Sequence, residues 1–487
     1  MDAVFMSTAI VVLAFLVDFT IRVVAIIVVP RNRKPTSATA WLLAIFLIPY
    51  FGALFFLLIG SYKLPKKRRE RQARINNIIR ESTQGIELAN KDHSQPRWLE
   101  QVVVLNRELG SMPLVGGNIA SLHGEYHESL AAMIAEIDSA ERYVHIEFYI
   151  LTLDSTTAPF FDSVEAAIKR GVTVRVLLDH IASLRTPDYR RTISRLTKIG
   201  AQWQLMLPVQ PLRGKYQRPD LRNHRKILVV DGRVAFMGSQ NIIDRTYNKR
   251  SNRRRGLKWK DLMVRLEGPV VAGLNAIFIS DWYSETDELL EREVDSVHPI
   301  EGRETLFAQV VPSGPGFVGE NNLRLFLALL YNAESRIVIT SPYFVPDEAM
   351  LMAITTATQR GVSVELFVSE VGDQILVYHA QRSYYEALLR AGVRIWMYRA
   401  PYILHAKHFT IDDVVAVVGS SNMDMRSFQL NMEISLMVSS RSFVADLHEV
   451  EEGYRRNSRE LTLDEWLRQP LRATVMDNLA RLTSALQ

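Results

Sequence analysis

One block of this sequence occurs twice, and that restricts the chain to folds built from a duplicated unit. His224-Arg-Lys226-Ile-Leu-Val-Val-Asp231, followed by Gly238-Ser239-Gln-Asn241, is matched by His405-Ala-Lys407-His-Phe-Thr-Ile-Asp412, followed by Gly419-Ser420-Ser-Asn422. Both read H-x-K-x4-D-x6-G-S-x-N. The flanks repeat as well: the run from Ala140 to Ile150 corresponds to Ala333 to Phe344, Arg170-Gly171 to Arg360-Gly361, and Ile199-Gly200 to Ala391-Gly392. Gly stops a helix in each flank and an apolar strand follows, so the period is a whole alternating strand–helix domain rather than a solenoid turn. The expected fold is therefore α/β, with two tandem domains related by a pseudo-two-fold axis. The halves are placed at 96–300 and 301–460.

Strand geometry explains the motif. Residues i and i+2 share a face, so His224 projects with Lys226, and His405 with Lys407. The turns at Ser239 and Asn241, and at Ser420 and Asn422, bring backbone N–H groups and amides toward the same place. One copy supplies half a phosphate site; two copies facing each other would surround a single phosphodiester with two imidazoles and two ammonium groups. Such a set suits phosphoryl transfer without a metal or cofactor: one imidazole attacks phosphorus, the other protonates the leaving alkoxide, and the lysines offset charge on the oxygens. Each imidazole needs an acceptor on its other nitrogen. Linear spacing suggests Glu433 for His405, 28 residues on, and Asp261 for His224, 37 residues on, with the excess absorbed by the loop Arg245 to Lys260. Asp231 and Asp412 complete the two catalytic motifs, and because they end strands, bracing of the following loop is expected of them.

The first sixty residues contain two apolar runs, Val4 to Val29 and Ala38 to Ile59. Each is long enough to cross a hydrocarbon core of ~30 Å, so a two-helix transmembrane hairpin is expected over 1–62. Asp18 and Arg22 stand four residues apart, placed to neutralise each other. Pro49 and Gly52 should loosen the second helix. Basic residues Lys63, Lys66, Lys67, Arg68, Arg69, Arg71 and Arg74 follow the runs, against Arg31, Arg33 and Lys34 between them. This asymmetry predicts a multi-pass protein of the cell (inner) membrane with its catalytic part in the cytoplasm, joined through a basic linker at 63–95.

Several longer stretches resemble the bacterial cardiolipin synthases of the phospholipase D superfamily. They are Arg33 to Trp41, Ile146-Glu147-Phe-Tyr149, Asn223-His-Arg-Lys226, Trp259-Lys-Asp261, Ser341 to Asp347, Arg426-Ser427-Phe428 and Asn431-Met-Glu433. The resemblance implies two phospholipase D-like domains that transfer a phosphatidyl group from one phosphatidylglycerol to another through a phosphohistidine, releasing glycerol. By analogy with two-motif relatives it implies His224 as nucleophile and His405 as general acid, then base. The alternative is a phosphodiesterase that hydrolyses phospholipids or nucleic acid. Asp179 to Ser183 and His408 depart from the family's usual pattern; His408 points away from His405 and is expected to be a packed histidine.

With 48% hydrophobic and 23% charged residues and no cysteine, the chain is neither disordered, disulfide-stapled nor built on thiolate chemistry, and its net charge of +5 suits anionic partners. The segment Arg245 to Lys260 is basic throughout, and Arg253, Arg254 and Arg255 are candidate headgroup contacts. Aromatic residues for stacking bases are sparse there, so nucleic acid is not the expected partner. Glu147, Tyr149 and Tyr343 lie on strands leading to the site and are candidates to bound a headgroup pocket. From Leu471 the tail, 461–487, reads as an amphipathic helix whose apolar face packs on the body, a membrane-surface helix being the alternative. The oligomeric state is left open.

Overall fold

The structure is a computed structural model that describes residues 2–31, 33–60, 64–83, 96–213, 216–290, 299–300, 305–317 and 319–482, with side chains from residue 10 onward. Lys63, much of the expected linker at 84–95, and the tail beyond Leu482 lie outside the described residues. The chain divides into two compact units: Met1–Lys63 with Arg218–Asp220, and Leu64–Gln217 with Leu221–Gln487.

In the first unit, Asp2–Val28 is one helix, and its segment Ile10–Val28 has a mean hydropathy of 2.6. Arg22 Nε lies 2.9 Å from Asp18 Oδ2, the expected neutralising pair. The second apolar run departs from expectation. It forms two helices, Pro35–Leu47 and Pro49–Ile59, broken at Ile48, where φ is −135°. Pro49 lacks the N–H that would continue the ladder and disfavours helical geometry in the residue before it. Among the described residues, one helix is long and apolar enough to cross a membrane, and the two-helix hairpin is corrected to one spanning-length helix followed by two short apolar helices. Buried Ala25, Val29, Ala38 and Ile45 hold the three together.

The second unit is organised by a 15-stranded mixed sheet. Its centre is the antiparallel pair Leu114–His123 and Leu306–Ser313. From there each half runs outward in the same order: Met263–Glu267, Val234–Gly238, Lys226–Val230, Tyr143–Phe148, Thr173–Asp179 and Gln202–Met206 on one side; Glu433–Ser439, Val415–Gly419, His408–Ile411, Arg336–Thr340, Ser363–Ser369 and Arg394–Tyr398 on the other. Ser458–Leu461 adds an edge strand to the second half. The duplicated topology expected from the repeat is thus present strand for strand. Ile227 to Val230 and Phe409 to Ile411 are buried because their strands are covered on both faces, which is why they read as unbroken hydrophobic runs apart from Thr410.

Helices Tyr126–Asp138 and Ala158–Lys169 cover one face of the first half, and Asn321–Asn332 and Glu348–Gln359 do so in the second. On the other face lie Val270–Thr286 and Arg441–Arg456, sharing a core that includes Val229, Val310, Leu436 and Leu447. Within the segment expected to be a basic linker, Lys66–Ser82 is a helix that packs on Val270–Thr286, burying Ile75 and Ile79 and pairing Arg68 with Glu285. The tail helix Leu471–Arg481 does not pack by its apolar face. It buries Asp477 and Ala480 and leaves Leu471, Val475 and Leu479 outside.

Candidate active site

Both histidines are delivered by segments that cross between the halves. The residues before His224 pair with those before Glu433: His224 N–H donates to Met432 O at 2.8 Å, and Met432 N–H donates to Arg222 O at 2.8 Å. The other copy repeats this, as strand Lys258–Lys260 runs parallel to Tyr402–Leu404 and His405 N–H donates to Lys260 O at 2.7 Å. Each histidine therefore sits beside the acidic residue of the opposite half. His224 Nδ1 lies 2.9 and 3.0 Å from the Glu433 carboxylate oxygens, and His405 Nδ1 lies 2.7 Å from Asp261 Oδ1. This overturns the pairing expected from linear spacing, which kept each dyad within its own half. With Nδ1–H donating to a carboxylate, Nε2 is left as the basic nitrogen of each ring.

The Gly-Ser turns set the carboxylates in place. Ser420 Oγ donates to Glu433 Oε2 at 2.5 Å, and Ser239 Oγ donates to Asp261 Oδ1 at 2.7 Å. Glycine precedes each serine because a Cβ on Gly238 would lie 2.3 Å from Leu262 O, and one on Gly419 2.3 Å from Ile434 O. Ser427 and Asn431 donate to Glu433 as well, at 3.0 and 3.3 Å; they belong to stretches singled out in the sequence but given no role there. Asn241 donates to the Tyr247 hydroxyl at 2.8 Å, and Asn422 Nδ2 lies 3.5 Å from Ser427 Oγ.

Lys226 and Lys407 are buried, and each ammonium donates to the carbonyl of the histidine two residues earlier, at 2.5 Å in both copies. An ammonium has three donors, so each keeps two for an anionic ligand. Burial drives Lys407 down to about 7 although Asp261 and Glu433 oppose it, and drives Lys226 well below its ordinary value. Burial takes His224 to about 4 against the opposing charge of Glu433, and takes His405 to about 3, with Lys407 adding to the depression. Burial is the largest influence on Glu433 and Asp261 and would raise both, but the facing histidine, a nearby lysine and a serine hydroxyl together hold them below the usual carboxylate range: His224, Lys226 and Ser420 for Glu433, and His405, Lys407 and Ser239 for Asp261. The resting site is thus a pair of neutral imidazoles backed by ionised carboxylates. Lys226 and Lys407 act electrostatically on both histidines and feel both carboxylates, so the two motifs form one charge system.

Aromatic rings wall the site. Tyr149 meets His224 edge-on at 4.9 Å and stands 5.3 Å from the Lys226 ammonium; Tyr247 and Tyr343 stand 6.4 and 6.5 Å from His405. Tyr247 was visible in the sequence only as an aromatic within a basic loop. Other candidates lie elsewhere. Glu147 is fully buried behind the site, accepting from Asn223 at 2.9 Å, and burial beside Asp281 raises it well above the usual carboxylate range, so it braces the interior rather than touching a headgroup. Asp231 and Asp412 accept three backbone N–H groups each, from Glu141 to Tyr143 and from Glu334 to Arg336, between 2.7 and 2.9 Å. A strand separates Asp231 from Lys226, about 16 Å at ~3.3 Å per residue, so these carboxylates hold loops together, as their positions suggested. Arg253, Arg254 and Arg255 are exposed on the helix Arg250–Arg255. His408 is buried on the opposite face of its strand, 3.4 Å from Glu451, a packed histidine as expected.

Paired histidines and lysines that form one charge system suited to an anion, on duplicated α/β halves, define a phosphodiester-processing enzyme of the two-motif type. The family description "Cardiolipin synthase, PLD-like domain" matches residues 133–282 and 326–452, and "Phospholipase_D-nuclease N-terminal" matches residues 21–61. The chain is 33% identical over 498 aligned residues to cardiolipin synthase A of Pectobacterium carotovorum subsp. carotovorum, covering 99% of this chain and 100% of the relative. It is 32% identical to cardiolipin synthase A of Proteus mirabilis, covering 94% of each. Among solved structures, the phosphatidylserine synthase of Haemophilus influenzae superposes with a TM-score of 0.60 at 14% identity, over 79% of this chain and 99% of that one, a likeness of fold. The chain belongs to the cardiolipin synthase family, phosphatidyltransferases of the phospholipase D type.

Proposed function

We propose that the enzyme joins two phosphatidylglycerol molecules, releasing glycerol, through a phosphohistidine on His224. The observation that carries this is the crossed arrangement of His224–Glu433 and His405–Asp261 around the two lysines. His224 Nε2 attacks the donor's phosphorus and forms the N–P bond while the P–O bond to the glycerol headgroup breaks. Glu433 stabilises the ring as it becomes positive. His405, protonated as the anionic diester enters beside it, delivers its proton to the departing glycerol oxygen. It then takes the proton of the second lipid's primary hydroxyl, whose oxygen attacks phosphorus and frees His224. Lys226 and Lys407 supply positive charge at the phosphoryl oxygens, so the reaction is expected to need no divalent cation.

We further infer an anchored enzyme whose catalytic part lies on the cytoplasmic side. The basic residues Arg31, Arg33, Lys34 and those from Lys66 to Arg74 all follow the spanning-length helix, which supports that orientation. Phosphatidylglycerol vesicles containing the purified protein and a chelator provide the test. Cardiolipin and glycerol in equal amounts are expected; phosphatidic acid as the sole lipid product would replace the transferase with a hydrolase.

A further inference from the structure

The tail helix is oriented the wrong way round for a water-facing surface. Leu471, Val475, Leu479 and Leu482 fall within about 80° of one another at 100° per residue, and they are 79%, 48%, 55% and 82% exposed. The side chain turned inward is the charged one: Asp477 is 2% exposed, 2.6 Å from His379 Nδ1 and 3.3 Å from Arg382 Nε. Those partners belong to the helix Ile375–Arg382, which itself leaves Ile375 and Leu376 exposed. Two packed helices thus bind each other through polar groups and present apolar residues outward, the reverse of a soluble amphipathic pair.

Position and charge indicate what covers this face. The residues immediately before Ile375, Gly372 to Gln374, wall a pocket with Tyr343, whose ring faces His405 and whose hydroxyl donates to Asp373 at 2.9 Å. The apolar face therefore begins at the rim of the active site. Lys249, which leads into the basic helix Arg250–Arg255, acts electrostatically on Asp373 and so borders the same rim. Between Arg468 and Leu482 the charged residues are Arg468, Arg472, Arg481 and the inward Asp477, which leaves the outer side positive. Apolar side chains flanked by the exposed Arg468 and Arg472 suit the interface of an anionic bilayer rather than another acidic-and-basic protein surface.

We propose that the helices Ile375–Arg382 and Leu471–Arg481 form a membrane-seating face that lays the rim of the active site on an anionic lipid surface, so that lipids reach His405 from the bilayer. The lipid route rests on the phosphatidyltransferase reading; the seating itself does not. The chain has no cysteine, so one introduced thiol gives a unique probe site. Leu376→Cys and Leu479→Cys, with Ala445→Cys on the exposed side of Arg441–Arg456 as control, are labelled with bimane in the full-length protein in phosphatidylglycerol–phosphatidylethanolamine vesicles. Doxyl-labelled lipid is expected to quench the probes at 376 and 479 at least about twofold and to leave 445 unchanged. Equal response at all three positions would overturn the proposal, and so would disulfide-linked dimers of Leu479→Cys, which would mean a second copy covers the face. Quenching is read without catalysis: quenching with hydrolysis products would retain the seating and discard the transferase, and cardiolipin synthesis without quenching would do the opposite.

Discussion

Glu433 Oε2 lies 2.9 Å from Nδ1 of His224, a residue of the other half of the molecule, and this contact makes the halves chemically inseparable. The second contact, His405 with Asp261, runs the opposite way, so neither half carries a complete histidine–carboxylate dyad of its own.

Glu433→Gln is expected to act as a lesion of His224, and Asp261→Asn as a lesion of His405. Each should lower kcat by about 10³–10⁴, as for the orienting carboxylate of a catalytic triad. Adding His224→Ala to Glu433→Gln should cost little more, because residues that act as a unit are not additive. Double-mutant cycles on kcat check this. Strong coupling of His224 to Asp261 rather than Glu433 would restore the within-half pairing.

Ligand affinity should fall in alkaline solution. Lys407 is depressed by burial to about 7, so its charged form is complete below that value and is lost as pH rises through it. A bound diester stabilises the ammonium, so affinity weakens by up to about tenfold per pH unit above neutrality. The Ki of a non-transferable phosphonate analogue of phosphatidylglycerol, measured from pH 5 to 9, should be flat and then rise. A constant Ki to pH 9 would mean Lys407 keeps an ordinary ammonium.

Asp231→Ala should damage stability and spare chemistry. It removes the acceptor of three backbone N–H groups, with an expected loss of about 3 kcal/mol in all. Thermal unfolding in detergent should show a lower Tm, and kcat at a temperature where the variant is folded should stay within about threefold of the parent. A large fall in kcat with unchanged Tm would give Asp231 a chemical role.

Arg225 occupies the variable position of the first motif and is fully buried, with Nε donating to Glu433 O at 3.0 Å and a guanidinium nitrogen paired with Asp281. Arg225→Met leaves Asp281 an uncompensated buried charge, at a cost of about 3–5 kcal/mol. Converting Asp281 to Asn in the same protein should return part of that loss. Chemical denaturation of both variants measures it, and an additive second loss would contradict the pairing.

Much of this was legible in the amino-acid order because local geometry has few solutions. The spacing kept each histidine beside its lysine, although the strands begin only at Lys226 and His408 so that His224, His405 and Lys407 precede them, and an aspartate that ends a strand is placed to brace the next loop. The dyads were not legible. The spacing from His405 to Glu433 is compatible with contact within a half or across halves, and what decides is the cross-half pairing of the segments before His224 and Glu433. Hydropathy joined the second apolar run into one span, and Pro49, read as loosening that helix, in fact divides it into two. It also took the tail's apolar stripe for a packed face, since periodicity reports that a stripe exists and not which way the helix is turned. Glu147 was placed correctly on its strand, but only tertiary packing reveals it as fully buried.

The central claim is that the two motifs act on a single phosphorus atom. The most direct measurement is an experimental structure of the full-length protein with vanadate. One ion bonded to His224 Nε2, with His405 Nε2 and both lysine ammonium groups within hydrogen-bonding distance of its oxygens, is the predicted result. Two ions in separate cavities, each held by one half, would contradict it.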